Sequence, residues 1–485
     1  MKRAPRAGAG SRFVRSRLLA GLAAAAILAA PGARADLQSF ATSVPGVARS
    51  ACAQLPPLPQ PPPNARSVLD FGATPDDDRD DTAAIQRALD AMKPNEWLVF
   101  PPGRYLHASR LRVTVPGTRL AGRGATLHAT NPADQAVMLM ADGAAIYGFT
   151  LTAQTAGRGN KPWEARIAIY PRADTAPAST GNEIRGNRIV ADAAGGAATA
   201  NSATTTGIFV YRARGFLVAE NEIERTLADG IHITAGASAG RVIGNVVRET
   251  GDDMIAVVSY LGRREEAAAQ IAADLDRRVA DRVVHDILIE GNDLAGQYWG
   301  RGIALVGARG ITVRANTIRD TTMAAAIYVA REPGYATAGV HDAVIEGNRI
   351  SRVQTTAPRY VAASAPPARR RTGHAAIEVF AQMSDDEARS AALARELGIS
   401  GVRIERNEID DAAGAALRIR DVGARGAVSG VSLIDNRSAH VRGKPLAIAA
   451  ARVACRGNLH EGRPVTDSAC DADVAPAAGA ALACL

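Results

Sequence analysis

Aromatic residues make up only 4% of this chain, with 3 Trp, 9 Tyr and 8 Phe in 485 residues. A core of this size cannot be built from packed rings. Small and β-branched side chains must fill it, which suits tightly stacked coils of backbone. Lysine is nearly missing as well: after residue 35 only Lys93, Lys161 and Lys444 occur, and arginine carries the positive charge. The four cysteines, Cys52, Cys455, Cys470 and Cys484, match no metal-site spacing and have no nearby His pair. That leaves disulfides, with three connectivities open. Three of the four lie near the C-terminus, so one local tail bridge is expected, with Cys52 pairing with the remaining one. Beyond Leu18–Ala30 no stretch is long and apolar enough to span a bilayer.

The formal charge of +8 is concentrated at one end. Residues 1–35 hold seven of the 57 basic residues and none of the 49 acidic ones, so the remainder carries 50 against 49. A nucleic-acid surface loses its support. Those 35 residues have the parts of a secretory signal peptide: a basic start, the apolar run Leu18–Ala30 and an A-x-A site at Ala33-Arg34-Ala35. Export to the periplasm or the medium is expected, with Asp36 as the mature start; a membrane anchor is the alternative. Residues 36–66 read as a Pro-rich linker, with Pro56, Pro57, Pro59, Pro61, Pro62 and Pro63.

What the chain has in quantity is a short repeat. Asp229-Gly230-Ile231-His232-Ile233 is answered 24 residues later by Asp253-Met254-Ile255-Ala256-Val257. Between them lies Gly244-Asn245-Val246. Asn recurs in that context at 187, 221, 245, 292, 316, 348, 407, 436 and 458. A strand, an Asn bend and another strand make one coil of a parallel β-helix, an all-β solenoid. The spacing predicts a ladder of stacked Asn side chains, each Asn taking the left-handed bend itself. The β-helix domain is expected over 67–460, followed by a Cys-containing tail at 461–485. Three insertions interrupt it: 261–282 and 384–398 read as helical, the second capped by Ser384, and 354–372 reads as a loop. Insertions on one side of a solenoid build the walls of a groove.

The opening segment runs Ser67-Val68-Leu69-Asp70-Phe71-Gly72-Ala73, then Asp80-Asp81-Thr82-Ala83-Ala84-Ile85, then Val99-Phe100-Pro101-Pro102-Gly103 and Leu120-Ala121-Gly122. It resembles the start of the pectate-lyase-like superfamily. The resemblance implies a right-handed, single-stranded parallel β-helix with an N-terminal capping helix. The residues agree: Asp81 or Thr82 can cap a helix with Ala84, Ile85, Ala88 and Leu89 on one face. Such a helix covers the open first coil. The run Asp76, Asp77, Asp78, Asp80, Asp81 reads as a solvated turn and cap; a calcium loop is the alternative.

Aligning the coils on the repeated phrase stacks Thr206, Asp229, Asp253, Arg301, Ala325, Ala375 and Ala415. Three residues on it stacks Phe209, His232, Ala256, Ala304, Tyr328, Glu378 and Arg418. Asp229, Asp252 and Asp253 then share one patch, where like charges raise a carboxyl pKa. His232, Arg301, Tyr328 and the pair Tyr298-Trp299 fall beside them as candidate substrate-binding groups, the aromatic rings as sugar-stacking surfaces.

The phrases Asp229-Gly230, Gly251-Asp252-Asp253 and Gly300-Arg301-Gly302 come in the order and coil spacing of polygalacturonases, which this stretch resembles. The family's first Asn is missing, its His is replaced by Arg301, and its Arg-Ile-Lys phrase is replaced by Ile327-Tyr328-Val329, with Arg331 near. The resemblance implies inverting glycoside hydrolysis, with Asp252 as acid and Asp229 and Asp253 activating water. No metal or cofactor is assigned. A calcium-dependent polysaccharide lyase is the alternative, with the three aspartates as ligands and Arg301 as base. A non-catalytic glycan-binding protein is the third reading. The expected partner is a polysaccharide, uronate-containing chains included, acted on by a monomer.

Overall fold

The computed structural model describes residues 55–471, except 156, 160, 175, 193–202, 362–370, 424–425 and 451–452. These lie in one compact unit, Val44–Leu485. The leader, Cys52, Cys484 and residues 362–370 of the 354–372 loop fall outside the described residues.

The chain is a right-handed parallel β-helix. Short strands form three sheets, of 19, 11 and 13 strands among the described residues. The 11-stranded sheet carries the repeated phrase. Its strands Thr206–Tyr211, Ile231–Thr234, Ile255–Val258, Ile303–Val306, Ile327–Ala330, Ile377–Met383 and Leu417–Gly423 pair in that order. The register stacks Phe209, His232, Ala256, Ala304, Tyr328, Glu378 and Arg418, as the alignment predicts. The inward positions are Ile, Val and Leu: Ile208, Ile231, Ile255, Ile303, Ile327 and Ile377 are all fully buried. β-Branched side chains stacked at one coil spacing fill the interior without rings.

The Asn ladder is continuous. The main-chain N–H and the Nδ2 of Asn245 both donate to Asn292 Oδ1, at 2.9 and 3.0 Å. The same pairing links Asn187 through Asn458. One expectation is corrected. The left-handed residue is the one before each Asn: Gly186, Glu220, Gly244, Gly291, Ala315, Gly347, Arg406, Asp435 and Gly457. The Asn turns inward, where it satisfies amide groups that the bend strips from the sheets.

Helix Thr82–Asp90 closes the first coil and buries Ala84, Ile85, Ala88 and Leu89. Asp81 precedes it but makes no side-chain cap. Its carboxylate accepts from Thr74 N and Leu106 N instead, and burial is the main cause holding its pKa up. Asp76, Asp77 and Asp80 likewise accept main-chain N–H groups, so the acidic run is a turn. The end of the Pro-rich segment lies along the solenoid: Pro56 O accepts from Arg185, and Arg66–Ser67 already pairs as a strand. Residues 261–282 form helices Ala268–Ala273 and Leu275–Arg282. Residues 384–398 form Asp385–Ala388 and Ala391–Leu397, capped by Ser384 and Ser390. Cys455 and Cys470 form the local tail disulfide. Among the described residues no helix is long and apolar enough to cross a membrane.

Candidate active site

A groove of about 1340 Å³ runs over the outer face of the 11-stranded sheet. Asp229, Asp252 and Asp253 line it, with His232, Trp299 and Arg301. One oxygen from each aspartate lies within 4.8 Å of the other two.

The cluster follows from the stacking. Asp229, Asp253 and Arg301 each lie two residues before the strand of their coil. Asp229 Oδ1 accepts the main-chain N–H of Asp253 at 3.0 Å, and Asp253 Oδ1 accepts that of Arg301 at 2.7 Å. Each carboxylate thus holds the coil that follows. The glycines of the phrases are required by crowding. A Cβ on Gly300 would come within 2.5 Å of Asp252 Oδ1, Asp253 N and Asp253 Oδ1. On Gly251 it would meet Leu227 O at 2.2 Å.

Charge is compensated unequally. Asp252 forms an ion pair with Arg158, which comes from the segment before strand Ala165–Ile169 and lies 6.0 Å from the Trp299 ring. His232 Nδ1 donates to Asp229 Oδ2 at 2.7 Å, and its ring stacks on Phe209 at 4.7 Å. Asp253 is the most enclosed of the three. Burial pushes its pKa up to about 7; Arg301 opposes this and Asp229 adds to it. Arg301 bridges Asp253 and Glu332 and lies 4.9 Å from the Tyr328 ring. Burial works against its charge, but Asp253 and Glu332 outweigh that and hold the guanidinium above its ordinary value. Arg301 is thus held as a cation by the two carboxylates it bridges.

A calcium ion on the three aspartates would compete with groups already bound to them. The ion needs six to eight oxygens. Here Asp229 and Asp253 accept N–H groups, and two guanidinium groups already sit on Asp252 and Asp253.

Two candidate substrate-binding residues, Tyr298 and Tyr328, and two residues near the aligned phrases, Arg331 and Glu378, do not line the groove. Tyr298 is buried and packs edge-on against Tyr360 beside Leu227, so it presents no ring to a sugar. Tyr328 is buried as the platform under Arg301. Arg331 is buried against Glu387 and Gln382 O, behind groove-lining residues. Glu378 is fully buried and held by Arg418 and Ala375 N. The structure adds Arg158, Phe209, Tyr260 and Glu332 to the groove. Phe209 was visible in the aligned column. Arg158, Tyr260 and Glu332 lie outside the repeated phrase and carried no periodic signal.

Residues 65–165 match the family described as rhamnogalacturonase A/epimerase, pectate lyase-like. No curated protein sequence matches the chain. Among solved structures, the A-module of mannuronan C-5 epimerase AlgE6 from Azotobacter vinelandii superposes with a TM-score of 0.55 at 15% identity, over 83% of this chain and 100% of that one. The AlgE4 A-module from the same organism gives 0.53 at 16%, over 80% and 99%. The catalytic domain of a GH87 α-1,3-glucanase in complex with nigerose gives 0.52 at 15%, over 84% and 70%. The fold is thus that of right-handed parallel β-helix proteins, and the match over residues 65–165 falls on the opening segment that resembles the pectate-lyase-like superfamily. At these identities the solved structures establish the fold.

Proposed function

We propose that this chain is a carbohydrate-active enzyme that hydrolyses a glycosidic bond of a polysaccharide at Asp229, Asp252 and Asp253. The observation that carries the reading is the closeness of three carboxylates in a groove, with one proton held near neutrality on Asp253. The structural likeness to α-1,3-glucanases and mannuronan epimerases supports a polysaccharide as substrate. In the free enzyme the proton rests on Asp253, and Asp252 pairs with Arg158. An incoming sugar displaces Arg158, and the proton passes within the cluster to Asp252, the more exposed of the two. Asp252 gives it to the leaving oxygen. Asp229 and Asp253 can both bond one water, and Asp253, having passed its own proton to Asp252, takes the water's proton as it attacks; the cluster is tighter than the roughly 6.5–9.5 Å usual for such a step. The leader sequence supports export to the periplasm or medium, and a monomer suffices because one chain supplies every group.

A second reading rests on His232. A carboxylate-oriented imidazole facing a groove suits removal of a carbon-bound proton from a uronate. Reducing-end release from uronate and neutral polysaccharides, beside the ultraviolet absorbance of an unsaturated sugar, separates the two. New reducing ends without absorbance, lost in Asp252→Asn, support hydrolysis. Absorbance that survives in Asp252→Asn and is lost in His232→Gln supports proton abstraction. Glycan binding without either signal makes the chain a binding protein.

A further inference from the structure

We propose that Glu332 is a positioning residue for the aspartate cluster: it draws the Arg301 guanidinium across the sheet and away from full engagement with Asp253. This rests on the proposed hydrolytic site and assigns the group that sets its proton balance. Arg301 and Glu332 stand at opposite ends of two paired strands. Arg301 lies two residues before Ile303–Val306, and Glu332 two residues after Ile327–Ala330. The register joins Ile303 to Ile327 and Val306 to Ala330, so the guanidinium has to run along the strands to meet the carboxylate. It does so 4.9 Å from the Tyr328 ring, whose register partner Ala304 is small. The contact made there is close: Nη2 donates to Glu332 Oε1 at 2.9 Å. The contact with Asp253 is looser. Arg301 Nε lies 3.3 Å from Asp253 Oδ1, yet this buried nitrogen makes no hydrogen bond among the described residues. A buried donor left unbonded costs free energy. It is left so here because the far end of the guanidinium is held by Glu332.

Glu332 is fixed from its own backbone. Its N–H donates to Thr337 Oγ1 at 2.8 Å, its carbonyl accepts from Tyr335 N at 3.1 Å, and Thr337 is fully buried. Arg331, just before it, is buried against Glu387. The carboxylate therefore cannot follow Arg301 towards the aspartates, and it lines the groove instead of the core. Three charges act on Asp253: Arg301 favours loss of its proton, while Asp229 and Glu332 favour its retention. Glu332 works in two ways, as a like charge and as the partner that keeps the guanidinium from aligning on Asp253. The other carboxylates have their own partners, Asp252 in Arg158 and Asp229 in His232. Tyr260 and Tyr328 face the same charges, and burial, seconded by the carboxylates, holds both hydroxyls protonated. Neither ring therefore carries charge near neutrality, and the balance on Asp253 is set through Arg301.

The test compares the wild type with Glu332→Gln and Glu332→Asp. Gln keeps the volume, removes the charge and frees Arg301 to align on Asp253. An arginine beside a carboxylate lowers its pKa by roughly 1–3 units. If about one unit of that effect is recovered, the alkaline limb of kcat/KM moves down by about one pH unit, roughly a tenfold loss at about pH 8 and none at about pH 5. KM at the lower pH is expected to match the wild type, and Glu332→Asp, which keeps the charge, is expected to restore most of the limb. Melting temperature reads the same balance without substrate. The wild type loses stability until pH passes about 7, whereas Glu332→Gln is expected to level about one unit sooner. Coincident melting profiles for these two proteins overturn the proposal, as does activity of Glu332→Gln lowered equally at every pH. The expected melting shift, with no reducing ends released by the wild type from any glycan, overturns hydrolysis and leaves the positioning role standing.

Discussion

The main-chain N–H of Arg301 donates to Asp253 Oδ1 at 2.7 Å, and its guanidinium Nε lies 3.3 Å from the same oxygen. One residue thus supplies both the bond that orients Asp253 and the charge that limits its pKa. Asp253 is held up to about 7 by burial, against an ordinary value of 3.8. If it stores the reactive proton, kcat/KM falls as pH rises through about 7. Arg301→Gln removes the opposing charge and moves that limb to higher pH. A limb that stays in place in this folded variant rules Asp253 out as the titrating group.

The same shift has a stability consequence. The native carboxyl prefers its proton, so burying it costs little below about 4, and the cost grows as pH rises through about 7. The wild type is expected to lose melting temperature over that window. Asp253→Asn, which cannot ionise, is expected to show a flatter profile; equal slopes in the two proteins would contradict the assignment.

Gly300 packs directly against the aspartates. Gly300→Ala places a methyl within 2.5 Å of Asp252 and Asp253 atoms. A displacement of catalytic groups on the order of 1 Å costs roughly 100-fold. Turnover is expected to drop about that much, with a melting temperature only modestly lowered by overpacking. Near-normal turnover would show that the cluster geometry is not what limits the reaction.

The adjacent rings Tyr298 and Trp299 should separate cleanly. Trp299 lines the groove, whereas Tyr298 is buried against Leu227 and Tyr360. Trp299→Ala is expected to raise KM severalfold with stability nearly unchanged. Tyr298→Ala is expected to cost about 3–5 kcal/mol, as large-to-small core changes do. Urea unfolding beside steady-state kinetics reads both, and the reverse pattern would invert their assignments.

Within the ladder, Asn292→Ala takes the acceptor from the N–H of Asn245, one of two acceptors from its Nδ2, and the side-chain donor from Val242 O. At roughly 1–3 kcal/mol per buried unsatisfied group, a loss of about 3 kcal/mol or more is expected. Asn458, at the end of the ladder, should cost less. Equal losses at both positions would show that burial along the ladder does not set the penalty.

The sequence carried the fold because the β-helix is written in a period. Asp229 and Asp253 in one phrase, Asn221 and Asn245 in another, sufficed to align coils whose register the structure shares. The same period brought Asp229, Asp252, Asp253, His232 and Arg301 into one groove. It could not tell inward from outward at positions outside the phrase. Tyr298 looked like a groove ring and is core, because the coil it belongs to turns there beneath Trp299. Arg158 and Glu332 were invisible because they sit on segments between strands, where no periodicity fixes direction. The left-handed role given to Asn belongs to its predecessor, since a chain position in the αL region and a side chain that bonds inward are separate jobs for neighbouring residues.

Successive rungs of the Asn ladder are bonded alike although they are 22 to 59 residues apart in the chain. The ladder is therefore indifferent to how much polypeptide is spent between rungs. Helices Ala268–Ala273 and Leu275–Arg282 are inserted between Asn245 and Asn292, and the segment around Tyr335 lies between Asn316 and Asn348, without disturbing a rung. Scaffold and specificity can thus diverge independently in this architecture. Exchanging a wall segment for one of another length, cut within a coil and clear of both neighbouring asparagines, is a route to altering which glycan the groove accepts while the solenoid stays intact.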